Sequence, residues 1–325
     1  MKKVLKKIAV FTSGGDAPGM NACIRAIVRT ALWYKKEVVG IIHGYDGMMK
    51  GEFITLDSKT ASNIIQRGGT ILKTARSKAF MTRKGMNAAY THLKKNKIDG
   101  IVAIGGDGTF RGAVEFNKLF DIPFIGIPGT IDNDLFGTDY TLGFDTAINT
   151  TLQAIDKVKD TASAHDRLFF IEVMGRDTGY IALWTGIAGG AEEILLPETK
   201  TDINKLVKLL RERKANNKST IVIVAEGDEA GGALIIAKKV KEKIPGYDAR
   251  VTILGHIQRG GNPTCFDRIL ATRFGVSAVE ALLNGESNKM TGVINNKITF
   301  TSLDNAVKEH APLDKDLVRY VKMLQ

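Results

Sequence analysis

The sequence predicts an α/β protein made of two doubly wound domains with mainly parallel sheets. Apolar runs such as Lys7–Thr12 (KIAVFT), Gly100–Ile104 (GIVAI) and Thr220–Ala225 (TIVIVA) lack an alternating polar face, as strands covered by helices on both sides require. Amphipathic segments at helical spacing separate these runs. With 325 residues, 44% of them hydrophobic, the chain can bury a sizeable core, and its length suits about two domains.

Taken in order, Lys7–Thr12 is a strand that stops at Ser13-Gly14-Gly15. Pro18 sits near the start of a helical pattern through Leu32, since proline is tolerated in a first helical turn. Val38–Ile42 is the next strand, Asn63 to Gln66 a short helix stopped by Gly68-Gly69, and Lys84–Lys95 a polar-faced helix. The strand Gly100–Ile104 leads to the loop Gly105–Thr109, residues 111–119 are helical, and Ile122–Ile127 is a strand that empties into Pro128–Asp134 (PGTIDND).

Beyond residue 142 the alternation resumes. Ile148, Leu152, Ile155 and Val158 mark a helix face, and Arg167–Val173 is a strand ending at Gly175. Trp184–Ala188 lies in a helix, Glu193–Leu196 is a brief strand before Pro197, and Ile203, Leu206, Val207 and Leu210 form a helical stripe. Thr220–Ala225 ends at Glu226-Gly227. Val251–Leu254 leads into Gly255–Gly261 (GHIQRGG), a long helix spans Asp267–Leu283, and Leu317–Leu324 closes the chain.

No apolar run approaches the ~20 residues of a membrane span, and Met1–Lys7 has charge without the apolar region of a signal peptide. No membrane partner is expected. Two cysteines, Cys23 and Cys265, make no disulfide framework and fit a reducing cytoplasm and structural roles. The formal charge of +11 is spread over helices and loops, with no basic arm or aromatic-interleaved stripe. This favours anionic small substrates over a specific nucleic acid.

The chemistry concentrates where strands end. Of 34 glycines, many fall at strand-to-helix turns, where backbone N–H groups and helix N-termini suit phosphates. Gly14-Gly15, Gly105–Thr109, Pro128–Asp134, Gly175-Arg176 and Glu226-Gly227 would all lie at carboxyl ends of strands, where doubly wound sheets bind ligands. No P-loop and no G-x-G-x-x-G after the first strand is present. If Thr130–Asp134 stays extended, Asp132 and Asp134 look to one side. Asp107 and Asp134 can hold Mg²⁺, which takes one or two carboxylates plus substrate phosphates, leaving Asp132 as a base. Glu226 closes a buried strand, where an unpaired carboxylate would be costly, so it is expected to meet a ligand or partner.

Ser13–Asn21 (SGGDAPGMN), GGDGT at 105–109, PGTIDND at 128–134, EVMGR at 172–176 and GHIQRGG at 255–261 together resemble the bacterial ATP-dependent 6-phosphofructokinases, in order and over essentially the whole chain. The resemblance implies two Rossmann-like domains with the active site in the cleft between them. One, 1–142 with about 258–307, would bind ATP. The other, 143–257 with about 308–325, would bind fructose 6-phosphate. It implies a cytoplasmic homotetramer with active and effector sites shared across subunit interfaces.

By the same resemblance Asp132 is the base, Thr130 binds the transferring group or substrate, and Arg76 and Arg176 meet the charge on the transferring phosphoryl. Gly15, Arg76, Gly105, Gly106, Asp107, Gly108 and Thr109 would hold ATP. Thr130, Asp132, Asp134, Met174, Gly175, Arg176 and Glu226 would meet the sugar. Arg167, Arg250, His256 and Arg259 would clamp its 6-phosphate, Arg167 and Arg250 coming from a neighbouring subunit. Pyrophosphate-dependent relatives carry an aspartate and a lysine where this chain has Gly108 and Gly129, and glycine leaves room for a nucleotide.

An effector site is expected at Arg25, Arg29, Lys159 and Glu192. Ser58, Asn63, Ala215 and Asn217 stand where the regulated enzymes carry charge, and Lys159 where they carry arginine, so the effector response is expected to be weak or altered. Met81 also replaces a basic residue near the nucleotide, with Arg83 as a stand-in. Kinases of related fold acting on NAD or lipids lack GHIQRGG, and a non-catalytic sensor would not need Asp107, Thr130, Asp132 and Arg176 together.

Overall fold

The computed structural model describes residues 5–164, 167–216 and 218–324. In chain order its main elements are β1 (Lys7–Thr12), α1 (Met20–Trp33), β2 (Glu37–Ile41), α2 (Gly44–Lys50), β3 (Phe53–Leu56), α3 (Arg83–Lys95), β4 (Gly100–Gly105), α4 (Asp107–Asn117), β5 (Phe124–Pro128), α5 (Phe144–Ser163) and β6 (Leu168–Val173). There follow α6 (Tyr180–Ala188), β7 (Glu193–Leu195), α7 (Ile203–Ala215), β8 (Thr220–Ala225), α8 (Gly232–Lys243), β9 (Ala249–Ile253), α9 (Cys265–Leu283), β10 (Lys289–Ile294), β11 (Lys297–Ser302), α10 (Leu303–Lys308) and α11 (Lys315–Leu324). Single 3₁₀ segments occupy Ala79–Met81 and Gly255–Arg259. Among the described residues no helix is long and apolar enough to cross a membrane.

The chain divides into two compact units, Met1–Thr146 with Arg259–Ala311 and Ala147–Gln258 with Pro312–Gln325. The first holds a seven-stranded sheet in the order β11-β10-β5-β4-β1-β2-β3, parallel except at its edge strands β11 and β3. From β1 the chain moves to β2 on one side and later to β4 and β5 on the other. The switch point, where such sheets take ligands, therefore lies between β1 and β4. The second unit holds a parallel sheet in the order β7-β8-β6-β9, whose switch point lies between β6 and β9.

The inner strand runs β4, β5 and β8 have no exposed residue, as their apolar composition requires, whereas β3, β9 and β11 carry exposed ones. Phe11, Phe110, Phe116 and Phe124 fill the first core, and Phe170, Leu210, Val222 and Val240 the second. Each such side chain contributes about 1.5–3 kcal/mol by leaving water.

Local details differ from the sequence expectation for identifiable reasons. α1 starts at Met20, two residues after Pro18, because Gly19 is left-handed at φ 98° and delays the helical path. Residues 63–66 form turns rather than a helix, since Asn63 is also left-handed at φ 55°. The expected loop Gly105–Thr109 is the end of β4 and the first turn of α4. The sequence reading does not include α2, the edge strand β3, α8, the β10–β11 hairpin or α10. The hairpin did carry a signal, Asn295-Asn296, both with positive φ (49° and 60°) as a two-residue type I′ turn demands. α8 also shows a buried stripe, Ala233, Ile236, Ala237 and Val240.

Candidate active site

In the first unit β4 and β5 are parallel neighbours whose last residues, Gly105 and Pro128, lie in register. The Gly129 N–H donates to the Gly105 carbonyl at 3.0 Å, and the Ser13 N–H to the Ile104 carbonyl at 3.0 Å. The loops after β1, β4 and β5 thus leave adjacent strand ends. They bring Gly14-Gly15, Asp107–Thr109 and Thr130–Asp134 to one end of the sheet, at its switch point.

The loop after β5 is no acidic surface turn. Thr130, Asp132, Asn133 and Asp134 are all less than a tenth exposed. Nor is it extended: Asn133 is left-handed at φ 53°, so the strand rule that puts residues i and i+2 on one side does not apply to Asp132 and Asp134. Asn133 keeps this backbone because its Oδ1 accepts the Thr141 N–H at 2.8 Å and its Nδ2 donates to the Asp139 carbonyl at 3.1 Å. The Thr141 hydroxyl donates to the Thr130 carbonyl at 2.6 Å, and the Leu142 N–H to the Pro128 carbonyl at 2.8 Å. Residues 139–142 are therefore a backing strip for the loop, which sequence reasoning missed.

On the adjacent strand end, Asp107 opens the first turn of α4, with its carboxylate paired to Arg111 Nε at 2.8 Å. A Cβ on Gly15 would collide with the Arg259 guanidinium, whose Nη1 reaches the Asp16 carbonyl at 3.4 Å. Gly15 therefore allows a cation to rest on the backbone of the first loop. Arg76 is exposed and makes no ion pair among the described residues. Its segment is tied to the end of β1 by the Thr12 hydroxyl, which donates to the Lys73 carbonyl at 2.8 Å. Tyr45, stacked on Phe80 at 3.9 Å, anchors the Ala79–Met81 turn and donates its hydroxyl to the Thr109 carbonyl at 2.6 Å. Burial pushes that phenol well above its ordinary pKa. Met81 is half exposed and Arg83 exposed.

Among the described residues no three His, Cys, Asp or Glu side chains gather into a complete metal cage. Asp107 and Asp134, from loops on paired strand ends, are the donor set a magnesium ion takes when phosphates and water fill its remaining positions. Two carboxylates are too few for a closed structural metal site and suit an ion shared with phosphates.

In the second unit the carboxyl ends of β6, β8 and β9 carry Met174–Arg176, Glu226 and His256. Glu226 Oε1 accepts the N–H groups of Arg176 at 2.8 Å and Gly175 at 3.3 Å. Glu226 is exposed, contrary to expectation, because it lies one residue past the buried strand. Desolvation is thus no argument for a ligand there, and its Oε1 shapes the turn carrying Arg176. That turn needs Gly175, at φ 149°, and a left-handed Arg176 at φ 53°. The arginine side chain is exposed and without an ion pair among the described residues.

Gln258 is the missed residue of this unit. Fully buried, it accepts at Oε1 from the Thr151 hydroxyl (3.0 Å) and the Met174 N–H (3.3 Å), and its Nε2 donates to the Gly255 carbonyl at 3.1 Å. It locks the 3₁₀ turn bearing the exposed His256 onto the end of β6. Arg167 and Arg250 lie elsewhere. Arg167 precedes β6, and Arg250 pairs with Phe169 near the start of that strand. Both guanidinium groups hold one carboxylate, Asp248, at 2.9 and 3.0 Å. The hydrogen bond from Arg250 is the main reason its pKa is lowered. At ~3.3 Å per residue the length of β6 separates Arg167 from Arg176 by about 20 Å within the sheet.

The family model for phosphofructokinase matches residues 7–282. The chain belongs to the phosphofructokinase family. It is 53% identical over 321 residues to the ATP-dependent 6-phosphofructokinase of Cytophaga hutchinsonii, covering 98% of each chain. It is also 53% identical to ATP-dependent 6-phosphofructokinase 1 of Thermus thermophilus, covering 98% of this chain and 99% of the relative. Among solved structures it resembles the Pichia pastoris phosphofructokinase, with a TM-score of 0.88 and 36% identity over 100% of this chain. It spans only 37% of that longer chain. A pyrophosphate-dependent phosphofructokinase from Marinobacter aquaeolei shares the fold with a TM-score of 0.84 at 23% identity.

For a phosphofructokinase, the two glycines expected to make room for a nucleotide behave differently. A Cβ on Gly108 meets nothing within 4 Å. A Cβ on Gly129 would press on Ile104 Cγ2 at 2.9 Å and Met20 Cε at 3.2 Å. Gly129 therefore serves close packing of the strand ends, and only Gly108 borders open space. The expected effector residues are largely engaged within the chain. Arg29 donates to the Ser58 carbonyl at 3.1 Å, Lys159 to the Gly189 carbonyl at 2.7 Å, and Glu192 pairs with Arg213 at 2.6 Å. Arg25 is half-buried in α1, Ala215 ends α7, and Asn217 lies outside the described residues. Cys23 is buried and Cys265 exposed, both as free thiols. Burial pushes the Cys23 thiol far up.

Proposed function

We propose that this chain transfers the γ-phosphoryl group of Mg-ATP to the 1-hydroxyl of fructose 6-phosphate, giving fructose 1,6-bisphosphate and ADP, the committed step of glycolysis. The observation that carries the reading is the convergence of Gly14-Gly15, Asp107–Thr109 and Thr130–Asp134 on adjacent strand ends of the first unit. Phosphoryl transfer asks a protein for positioning, charge neutralisation and help with one proton, and these loops provide all three.

Asp132 accepts the proton of the sugar 1-hydroxyl, and Thr130 hydrogen-bonds the transferring group. Gly15, Gly105, Gly106, Gly108 and Thr109 line the nucleotide phosphates, Gly108 leaving space for the remainder of ATP. Asp107 and Asp134 hold magnesium, which when bound neutralises phosphate charge. Arg76 and Arg176 stabilise the charge that develops on the phosphoryl oxygens, free of competing ion pairs among the described residues. The first unit is thus assigned to ATP and the second to the sugar phosphate, with Met174, Gly175 and Glu226 at the sugar and His256 at its 6-phosphate, where Arg259, the residue at which the chain returns to the first unit, is also assigned.

Arg167 and Arg250 complete that phosphate clamp only from another copy of the chain, since they sit at the amino ends of their strands. Their position supports a homotetramer with shared active sites. The free cysteines suit the cytoplasm. Engagement of Arg29, Lys159 and Glu192 within the chain supports a weak effector response. Phosphoenolpyruvate titrated into a steady-state assay should leave the rate nearly unchanged, and strong inhibition would overturn that part.

The deciding experiment is a coupled assay with fructose 6-phosphate, run with Mg-ATP or with pyrophosphate. Turnover is expected with ATP, and Asp132→Ser should lose about 10²–10⁴-fold in kcat, the worth of a general base. Turnover on pyrophosphate alone, or full activity in the variant, would overturn the donor or the base respectively.

A further inference from the structure

We infer that Asp267, in the first turn of α9, is a positioning residue for phosphoryl transfer, holding residues 143–146 and through them the loop that carries Asp132 and Asp134. The inference rests on the phosphoryl-transfer reading above. Asp267 is completely buried. Its Oδ1 accepts the Gly143 N–H at 2.9 Å, and its Oδ2 accepts the Thr146 N–H at 2.8 Å and the Thr146 hydroxyl at 2.5 Å. These partners are more than 120 residues away in sequence. They directly follow Thr141 and Leu142, the residues that hold Thr130, Asn133 and Pro128 in place.

Helix capping does not explain the arrangement. Thr264 caps α9 by accepting the Asp267 N–H at 3.2 Å, and a carboxylate three residues after a threonine cap ordinarily reaches back to the cap's own N–H. Here that N–H goes to the Thr146 hydroxyl at 3.0 Å, and the Thr264 hydroxyl donates to Asp145 Oδ2 at 2.5 Å. The capping box is opened, and the carboxylate is released to serve a distant strip. The first site loop rests on the same place. Gly19 packs on Asp267, with 3.7 Å between a Cβ built there and the Asp267 Cβ, and a Cβ on Gly143 would press on Ala17 at 2.8 Å. The chain also re-enters this unit at Arg259, five residues before Thr264. One buried carboxylate thus lies beneath the first loop and the backing strip of the catalytic loop, and the return carrying Arg259 leads into its helix.

The charge on Asp267 is what the three donors read. Burial raises its pKa to about 6, against the opposing hydrogen bonds from Thr146 and Gly143. Asp145 of α5 is the charged group that faces it and pushes the same way as burial. Gly19, Gly143 and Thr146 present neutral groups, and the neighbouring Arg268 turns to the Pro263 carbonyl. Protonation puts a donor where three donors already converge, so the strip loosens below about pH 6.

Two variants test this in the full-length chain. Asp267→Asn should lower kcat about 100-fold, as misplacement of reacting groups by about 1 Å does, with much smaller changes in KM, and should speed hydrogen exchange in peptides spanning 128–143. Thr146→Val removes the shortest donor to the carboxylate. It should move the acid limb of the kcat profile to higher pH and speed the same exchange, a shift that a merely structural residue would not produce. If Asp267→Asn fails to fold, Thr146→Val decides alone. Folded variants with unaltered exchange, or Thr146→Val with an unmoved acid limb, would overturn the inference. An unsubstituted chain without turnover would overturn the proposed reaction, while hydrogen exchange still decides whether Asp267 holds the loop.

Discussion

Asp132 is 3% exposed and lies in a loop whose turning residue, Asn133, is held on both sides by Thr141 and Asp139. Arg250, with a side chain 55% exposed, is held by one carboxylate that it shares with Arg167. The first site is shaped by backbone groups and buried polar side chains, which can adopt no second arrangement without leaving a donor or acceptor unmet. The second is a pair of solvent-accessible cations, whose ion pairs with Asp248 contribute little and would cost little to exchange for a phosphate. The proposed reacting loop is thus fixed by buried hydrogen bonds, and the proposed phosphate clamp is held only by ion pairs to one exposed carboxylate.

The strongest way to break this contrast is Asn133→Ala. It removes three hydrogen-bonding partners and the residue type that tolerates φ 53°. We expect about 2–4 kcal/mol lost from stability and about 100-fold from kcat, read by thermal melts beside steady-state kinetics. A variant altered only in KM would show that the loop is not the rigid part.

Arg250→Ser should behave in the opposite manner. The KM for fructose 6-phosphate should rise about tenfold or more, the worth of a charge-assisted hydrogen bond, while the melting temperature stays almost unchanged. Mixing this variant with Asp132→Ser subunits after denaturation and refolding should restore part of the activity, because some sites in the hybrids then receive both groups. No recovery in hybrids of demonstrated mixed composition would argue against sharing between copies.

The smallest effect concerns pH. Asp267 has its folded-state pKa raised from 3.8 to about 6. The associated stability is fully present below the unfolded value and is lost as pH rises through the folded one. Between pH 7 and pH 5 the fold should gain about 1 kcal/mol from this group, measured as a shift in denaturant midpoint, and Asp267→Asn should remove that gain. Loosening of the catalytic strip and stabilisation of the fold thus run in opposite directions over the same interval.

Much of this molecule is written locally. The bounds of β1 and β8 coincide with their apolar runs, and the strand ends that carry Gly14-Gly15, Asp107, Asp132 and Arg176 follow from glycine and proline punctuation within a few residues. The candidate site residues are proposed from the same short motifs. Tertiary structure decided the rest. The left-handed turn at Asn133 depends on a partner eight residues on. The roles of Gln258 and Asp267 depend on partners about a hundred residues away. The placing of Arg167 and Arg250 at the far end from Arg176 depends on strand direction. Apolar periodicity and turn preference are properties of adjacent residues, so a sequence displays them directly. A buried polar group is specified by whatever donors and acceptors packing brings to it, and only the folded chain determines which those are.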